Sequence, residues 1–151
     1  MVKDYSSTTV IIPTLNEHEN IRHLLYRLLE LYPSINIIVA DDGSKDGTQE
    51  IVKNISINFS NVMLFDRSNE RIKGLCASAI GAVKLVNTEN LIVMDGDLQH
   101  PPEKVGELIN NLANYSLVIG VRNKIKEPWS MHRKLLSVIA TAFAKLRLRL
   151  C

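Results

Sequence analysis

With 151 residues, the chain is long enough to bury one sizeable core, so a single domain is expected. Hydrophobic residues make up 46% and charged residues 23% of the sequence, as in ordinary globular proteins, and the 5% of aromatic residues is too low for a surface that stacks single-stranded nucleic acid. The two cysteines form no metal-ligand pattern, and residues 1–9 lack the apolar run of a signal peptide. The sequence therefore favours an intracellular protein without a surface for stacking single-stranded nucleic acid.

The net charge of +2 is unevenly distributed. Residues 122–151 carry eight Lys or Arg and one acidic side chain, a balance of +7, whereas residues 1–121 carry −5. A basic tail on an acidic body indicates an anionic partner for the tail. From the charge alone, nucleic acid and membrane phosphate are both candidates, and of the two we expect membrane phosphate and no nucleic acid. The longest uncharged stretch near the C-terminus, residues 135–144, is far shorter than the roughly 20 residues that a membrane-spanning helix needs. We therefore expect no transmembrane helix.

Short β-branched runs alternate with longer stretches of helical periodicity. The predicted strands are residues 8–12, 36–40, 62–65, 90–94 and 116–121. The predicted helices are residues 17–32, 45–57, 73–86, 101–113 and 130–148. Pro13 is expected to end the first strand, Asn16 to cap the first helix, and Ser44 or Asp46 to cap the second.

This alternation predicts an α/β fold with three layers, a mostly parallel sheet with helices on both faces. In such sheets, ligands bind beyond the carboxyl ends of the strands. Polar clusters follow the first, second and fourth predicted strands, at residues 13–17, 41–48 and 95–99. Because these strand ends meet at one edge of the sheet, the three clusters predict one binding site.

The cluster after the fourth strand offers metal ligands. Asp95, Asp97 and Gln99 alternate along the chain, so we expect their side chains to converge. Carboxylate and amide oxygens suit Mg²⁺ or Mn²⁺, with substrate phosphates completing the coordination. In the second cluster, Asp41 ends a strand and can accept a hydrogen bond from a base or a ribose. The first cluster, taken alone, is explained by a strand end followed by a capped helix.

Five segments carry a family resemblance: VIIPTLNEHENI, IIVADDGSKDGT, KGLCASAIGA, LIVMDGDLQHPPE and VIGVR. In this order they resemble the family 2 glycosyltransferases, which have the glycosyltransferase A fold, a Rossmann-like nucleotide-sugar domain. The segment DLQHPPE is most similar to the dolichol-phosphate mannosyltransferase branch and its polyprenyl-phosphate relatives. The resemblance extends over about residues 8–137.

The resemblance implies a nucleotide site at the first two clusters. Pro13, Leu15 and Glu17 would line the base and ribose. Asp41 would bind the base, and Asp42 would support the site near the ribose. Many relatives carry an aromatic residue where this chain has Leu15.

At the fourth strand, the resemblance implies that Asp95, Asp97 and Gln99 hold the metal on the diphosphate, with Asp95 also next to the nucleotide. Relatives commonly have Asp-Ala-Asp where this chain has Asp-Gly-Asp, which keeps both carboxylates. Arg122 and Arg133 would bind the acceptor phosphate, since a guanidinium group binds phosphate oxygens through two hydrogen bonds.

Trp129 and Ser137 share the spacing that this branch uses near its acceptor. We expect residues 1–129 to form the catalytic part that binds the nucleotide-diphospho-sugar. Residues 130–151 form a basic amphipathic helix of the same domain, which can lie on an anionic membrane surface.

The function predicted is an inverting glycosyltransferase that moves a hexose, mannose in first place, from a nucleotide-sugar to polyprenyl or dolichyl phosphate. GDP-mannose is the favoured donor and UDP-glucose the second. The expected location is cytoplasmic, peripheral at the cytoplasmic face of a membrane. Three alternatives remain open: a module that binds the nucleotide-sugar without efficient transfer, a glycosyltransferase with a non-lipid acceptor, and a nucleotidyltransferase. A nucleotidyltransferase would need a phosphate-binding loop rich in glycine and lysine after the first strand, where this chain reads PTLNE.

Overall fold

A computed structural model describes residues 3–121 of the chain. The strands are β1 (Thr8–Thr14), β2 (Asn36–Asp41), β3 (Val62–Asp66) and β4 (Asn90–Val93). The α-helices are α1 (His18–Leu31), α2 (Thr48–Asn58), α3 (Leu75–Val83) and α4 (Val105–Leu112). A 3₁₀ turn, Pro102–Lys104, precedes α4.

The four strands form one parallel sheet in the order β3-β2-β1-β4. Hydrophobic residues on both faces of this sheet are buried, as expected where helices cover both sides. On one face, Val10 and Ile12 of β1 pack with α1, α2 and α4 in the main core. On the other, Ile11 and Ile38 pack with Ala82 of α3. The three-layer α/β fold predicted from the sequence is confirmed.

Pro13 does not end the first strand, which continues to Thr14, and Pro13 pairs in register with Ala40. Within a strand, backbone groups two residues apart point to the same side, and the carbonyl of Ile11 accepts from the N–H of Met94 on the β4 side. The backbone nitrogen of Pro13, two residues after Ile11, therefore points to the β4 side. Because β4 ends at Val93, no strand lies there that would need an N–H from Pro13. A proline is tolerated at such an unpaired edge.

The predicted fifth strand at residues 116–121 is wrong. The structure assigns no strand there, and Leu117, Ile119 and Val121 are all exposed. A run of apolar residues forms a strand only where a neighbour pairs with its backbone, and β4 pairs with β1 alone within residues 3–121. The predicted helix 130–148 and the acceptor-side residues Arg122, Trp129, Arg133 and Ser137 lie outside the described residues.

Candidate active site

The ends of β1 and β2 are joined by hydrogen bonds on the edge where ligands bind in parallel sheets. The N–H of Asp42 donates to the carbonyl of Thr14 at 3.0 Å. The Thr14 hydroxyl, which is 1% exposed, donates to Oδ2 of Asp41 at 3.2 Å. The clusters after these two strands therefore form one unit.

Side chains of the second cluster provide the N-terminal cap of α1. The N–H groups of Glu17 and His18 donate to Thr48 Oγ1 and to Asp46 Oδ2, each at 3.0 Å. The predicted cap, Asn16, has a left-handed backbone with φ 59°, and its Oδ1 accepts instead from the N–H of Lys45 at 3.0 Å. Because both capping side chains belong to the second cluster, α1 is fixed directly to the residues that follow β2.

Asp46 also accepts from the N–H of Thr48 at 3.0 Å, in the first turn of α2. The helix starts at Thr48 rather than at the predicted residue 45, because Gly47 has φ 94° and ends the preceding turn. A side chain at Gly47 would also come within 3.0 Å of His18 Nδ1. Asp46 thus holds the starts of two helices together.

Asp41 is fully buried, with 0% exposure, and accepts hydrogen bonds on both carboxylate oxygens. Oδ1 accepts from the N–H of Gly43 at 3.0 Å, the N–H of Ser44 at 2.8 Å and Nε2 of Gln49 at 2.7 Å. Oδ2 accepts from the hydroxyls of Thr14 and Ser44. These five donors stabilise the charge of a carboxylate that is buried away from water.

The cluster after β4 lies against the end of β1. A Cβ atom at Gly96 would lie 3.3 Å from Thr14 Cγ2 and 3.4 Å from Glu17 Cγ, so the absence of a side chain permits this close approach. All three sequence clusters therefore meet at one edge of the sheet.

Asp95, Asp97 and Gln99 follow the end of β4 at Val93. A turn, and not the expected alternation along a strand, therefore determines the directions of their side chains. The N–H of Gln99 donates to Asp97 Oδ1 at 3.0 Å, and Leu98 has a left-handed φ of 61°. A non-glycine residue in this conformation costs on the order of 1–2 kcal/mol. The Leu98 side chain packs against the main core, which holds the turn in place.

The donor set fits Mg²⁺ or Mn²⁺. Within residues 3–121, no three His, Cys, Asp or Glu side chains are arranged to hold a metal ion. Asp95 is exposed and Asp97 half-buried, so two carboxylates can reach a ligand. A site with one or two carboxylates, completed by substrate phosphates, is typical of magnesium in nucleotide enzymes. His100 lies beside this cluster: its Nδ1 accepts from the N–H of Asp95 at 3.2 Å, and its Nε2 lies 3.8 Å from Asp95 Oδ2.

The residues expected at the nucleotide differ in accessibility. Leu15 is 51% exposed and Glu17 is half-buried, so both can contact a ligand. Pro13 is buried within β1 and Asp42 is 7% exposed. Pro13 and Asp42, like the fully buried Asp41, are therefore less accessible to a ligand than Leu15 and Glu17.

A fourth polar cluster, after β3, was not recognised in the sequence. Arg67 is 5% exposed, and its Nε lies 3.3 Å from Asp42 Oδ1. Asp66 precedes Arg67 in the chain. A hydrogen bond from the Ser68 hydroxyl, and to a lesser extent one from the Ser68 N–H, lowers the pKa of Asp66 below its ordinary value. The available signal was position: these residues follow a strand directly, as the other three clusters do.

Comparison with known proteins identifies the family. The sequence profile of glycosyl transferase family 2 matches residues 9–147. A dolichol-phosphate mannosyltransferase of Pyrococcus furiosus is 38% identical over 135 residues, which cover 85% of this chain and 38% of that protein. One of Saccharomyces cerevisiae is 33% identical over 146 residues, 91% of this chain and 54% of that protein.

A solved mannosyltransferase from Pyrobaculum calidifontis, in complex with GDP-Man and Mn2+, superposes with a TM-score of 0.61. The match covers 72% of this chain and 32% of that one, at 24% identity, and supports the fold. This chain spans about half or less of the length of the curated relatives described here. Among residues 3–121, no helix has the length and apolar character needed to cross a membrane.

Proposed function

The chain belongs to glycosyl transferase family 2, and we propose that it contains the nucleotide-sugar site of an inverting, metal-dependent glycosyltransferase. The proposed reaction transfers a hexose, mannose in first place, to polyprenyl or dolichyl phosphate. The observation that carries this proposal is the meeting of the three clusters, where Gly96 lies against Thr14 and Glu17 and where Thr14 is bonded to Asp41.

The nucleotide would lie on the loops after β1 and β2. Leu15 and Glu17 present accessible side chains there, and the hydrogen-bonded Asp41 holds the Gly43–Ser44 turn in shape. Such preorganisation lowers the entropy cost of binding. GDP-mannose is the favoured donor, because the similar curated proteins are mannosyltransferases.

Asp95, Asp97 and Gln99 would hold Mg²⁺ or Mn²⁺ beside the diphosphate. When bound, the metal supplies Lewis-acid neutralisation of the charge that develops on the leaving diphosphate. The carboxylates of Asp95 and Asp97 orient the donor through the turn that the Gln99 N–H and Leu98 fix. Direct in-line attack on the anomeric carbon would invert its configuration.

A phosphate acceptor needs no strong general base, because it is already anionic at neutral pH. The acceptor phosphate must instead be held in the correct orientation beside the donor diphosphate, which is also an anion. Such orientation contributes to the reaction rate. We assign this to Arg122 and Arg133, and we assign attachment to anionic lipid to Lys145, Arg147 and Arg149, in the segment 122–151 whose net charge is +7. The enzyme would then work peripherally at the cytoplasmic face of a membrane.

Titration with donor nucleotides tests the proposed donor site. GDP-mannose should bind in the presence of Mn²⁺ and more weakly with EDTA, and UDP-glucose should bind less tightly than GDP-mannose. Release of GDP upon addition of polyprenyl phosphate separates an enzyme from a binding module, which releases none. If neither nucleotide-sugar binds with or without Mn²⁺, the proposal is wrong.

The acceptor assignment predicts two separable effects. Arg133→Ala should slow transfer to polyprenyl phosphate without changing the affinity for GDP-mannose. The triple variant Lys145→Ala, Arg147→Ala, Arg149→Ala should instead weaken binding to anionic vesicles, because each basic residue near the surface contributes about 1 kcal/mol. Co-sedimentation across a salt series measures the second effect. Equal binding of the wild type to neutral and anionic vesicles would contradict the membrane assignment.

A further inference from the structure

The fourth polar cluster centres on a buried guanidinium group. Arg67 follows β3 and donates from three different nitrogens. Nε donates to Asp42 Oδ1 at 3.3 Å, Nη1 to the carbonyl of Ala77 at 2.8 Å and Nη2 to the carbonyl of Ile72 at 2.6 Å. Arg67 therefore connects the end of β2 to the start of α3.

Asp42 receives a second contact from the same region. Its Oδ2 accepts from the N–H of Gly74, directly before α3. The Lys73 ammonium donates to the carbonyls of Asp42, Arg67 and Ser68 at 3.3, 2.5 and 3.0 Å. The loop of residues 67–74 is thus fastened at both ends to the end of β2.

Helix α3 is shaped to accommodate the Arg67 side chain. A Cβ atom at Gly81 would lie 2.5 Å from Arg67 Nη1, closer than real Cβ contacts, and 3.1 Å from Phe65 Cε1, which is a tight contact. The guanidinium also lies 5.9 Å from the centre of the Phe65 ring, within the range of a cation–π contact. A side chain at Gly81 therefore requires a shift, and the atom it would meet most closely belongs to the Arg67 guanidinium.

The fastened loop lies against the turn after β2. A Cβ atom at Gly43 would lie 3.4 Å from Ser68 Cα and 3.8 Å from Lys73 Nζ. Gln49 connects the same two regions, with Nε2 donating to Asp41 Oδ1 at 2.7 Å and to Ser68 Oγ at 3.0 Å. A shift of the loop would therefore move the turn that holds the nucleotide in our proposal.

We propose that Arg67 is a positioning residue for the nucleotide pocket, acting through Asp42 and the loop 67–74. With 5% exposure it is too buried to present itself to a ligand. Instead it fixes the Asp42 carboxylate and the loop that supports the Gly43–Ser44 turn. This inference rests on the proposed function, because it assumes that the pocket binds a nucleotide.

A double-mutant cycle on GDP binding tests the inference. Arg67→Met and Asp42→Asn are each expected to weaken GDP binding about tenfold, the effect of losing one hydrogen bond to a charged group. The double variant should be hardly weaker than either single variant, because both act through one contact. Affinity is measured by calorimetry in Mn²⁺, well below the unfolding temperature of every variant.

Two further variants separate positioning from general stability. Gly81→Ala keeps the Arg67 charge and improves the helix propensity of α3, yet it should weaken GDP binding because it displaces the guanidinium. Arg67→Lys should not restore affinity, since one ammonium cannot span Asp42, Ile72 and Ala77 together. Arg22→Met removes an exposed arginine of α1 and should leave the affinity unchanged.

Each result supports or overturns the inference. If folded Arg67→Met and Gly81→Ala bind GDP as the wild type does, Arg67 is merely structural and the inference is wrong. Additive losses in the double variant would show that Arg67 does not act through Asp42. If Arg67→Met does not fold, Gly81→Ala and Arg67→Lys decide the question. Failure of the wild type itself to bind GDP or UDP contradicts the proposed function instead.

Discussion

Replacing Asp97 with alanine is expected to abolish metal-dependent binding of the nucleotide-sugar while the fold persists. The side chain is half-buried on the turn after β4, where its Oδ1 accepts one hydrogen bond, from the N–H of Gln99. Losing that bond costs little stability, about 1 kcal/mol. Removing a residue that only supports a metal ligand reduces metal affinity about 10- to 100-fold, so loss of a ligand itself should cost at least about 100-fold.

The measurement is titration of GDP-mannose with and without Mn²⁺, with circular dichroism to verify the fold. Asp97→Asn keeps an oxygen that can accept from Gln99 and removes the charge, so it isolates metal binding from turn geometry. Asp4→Ala is the matched control, because Asp4 Oδ1 accepts from the N–H of Ser6 at 2.9 Å in the same two-residue spacing, within an exposed turn outside the three clusters. Unchanged Mn²⁺-dependent affinity in folded Asp97→Ala would falsify the metal assignment.

The order of strands and helices could be predicted from the sequence because it depends on local pattern and general topology. The continuous buried run Thr8–Ile12 is typical of a central strand, and the face that contains Ile21, Leu24 and Leu28 repeats with the period of a helix. Right-handed crossover connections then allow few arrangements other than a parallel sheet. That the polar clusters meet at one edge follows from the same rule.

What could not be predicted depends on contacts between distant residues. Asn16 fits the local pattern of a helix cap, yet the cap of α1 comes from Asp46 and Thr48, about 30 residues away. The apolar run at residues 116–121 is equally local, and it does not indicate whether a sheet edge is available for pairing. Periodicity indicates which secondary structure a segment can form by itself, whereas contacts with neighbouring elements determine which one it forms.

Arg67 illustrates the same limit from the side of function. An arginine after a strand usually remains in solvent, and nothing adjacent in sequence indicates burial. Its partners are Asp42 in the second cluster and backbone carbonyls at the start of α3. Only the pairing of β2 with β3 brings these groups together.

Asp41 gives the second large expected effect, because the structure shows a scaffold role for this fully buried residue, whereas its contact with the nucleotide stays a prediction. Asp41→Ala removes the acceptor of five hydrogen bonds in a site with 0% exposure. Each buried donor left without an acceptor costs about 1–3 kcal/mol, so we expect the free energy of unfolding to fall by at least about 3 kcal/mol. Urea unfolding followed by circular dichroism measures this loss.

Asp41→Asn separates the scaffold role of Asp41 from a direct contact with the nucleotide. The amide keeps one acceptor oxygen, and the hydroxyls of Thr14 and Ser44 can rotate to accept from its nitrogen, so the loss of stability should be smaller than for alanine. If the carboxylate also binds base or ribose, GDP affinity should fall about tenfold even where the variant is fully folded. Glu89→Gln is the control: it removes the charge of an exposed carboxylate outside the four polar clusters, and should change neither quantity much. Wild-type GDP affinity in folded Asp41→Asn would leave Asp41 with the scaffold role alone, because a charge-dependent contact cannot survive loss of the charge unchanged.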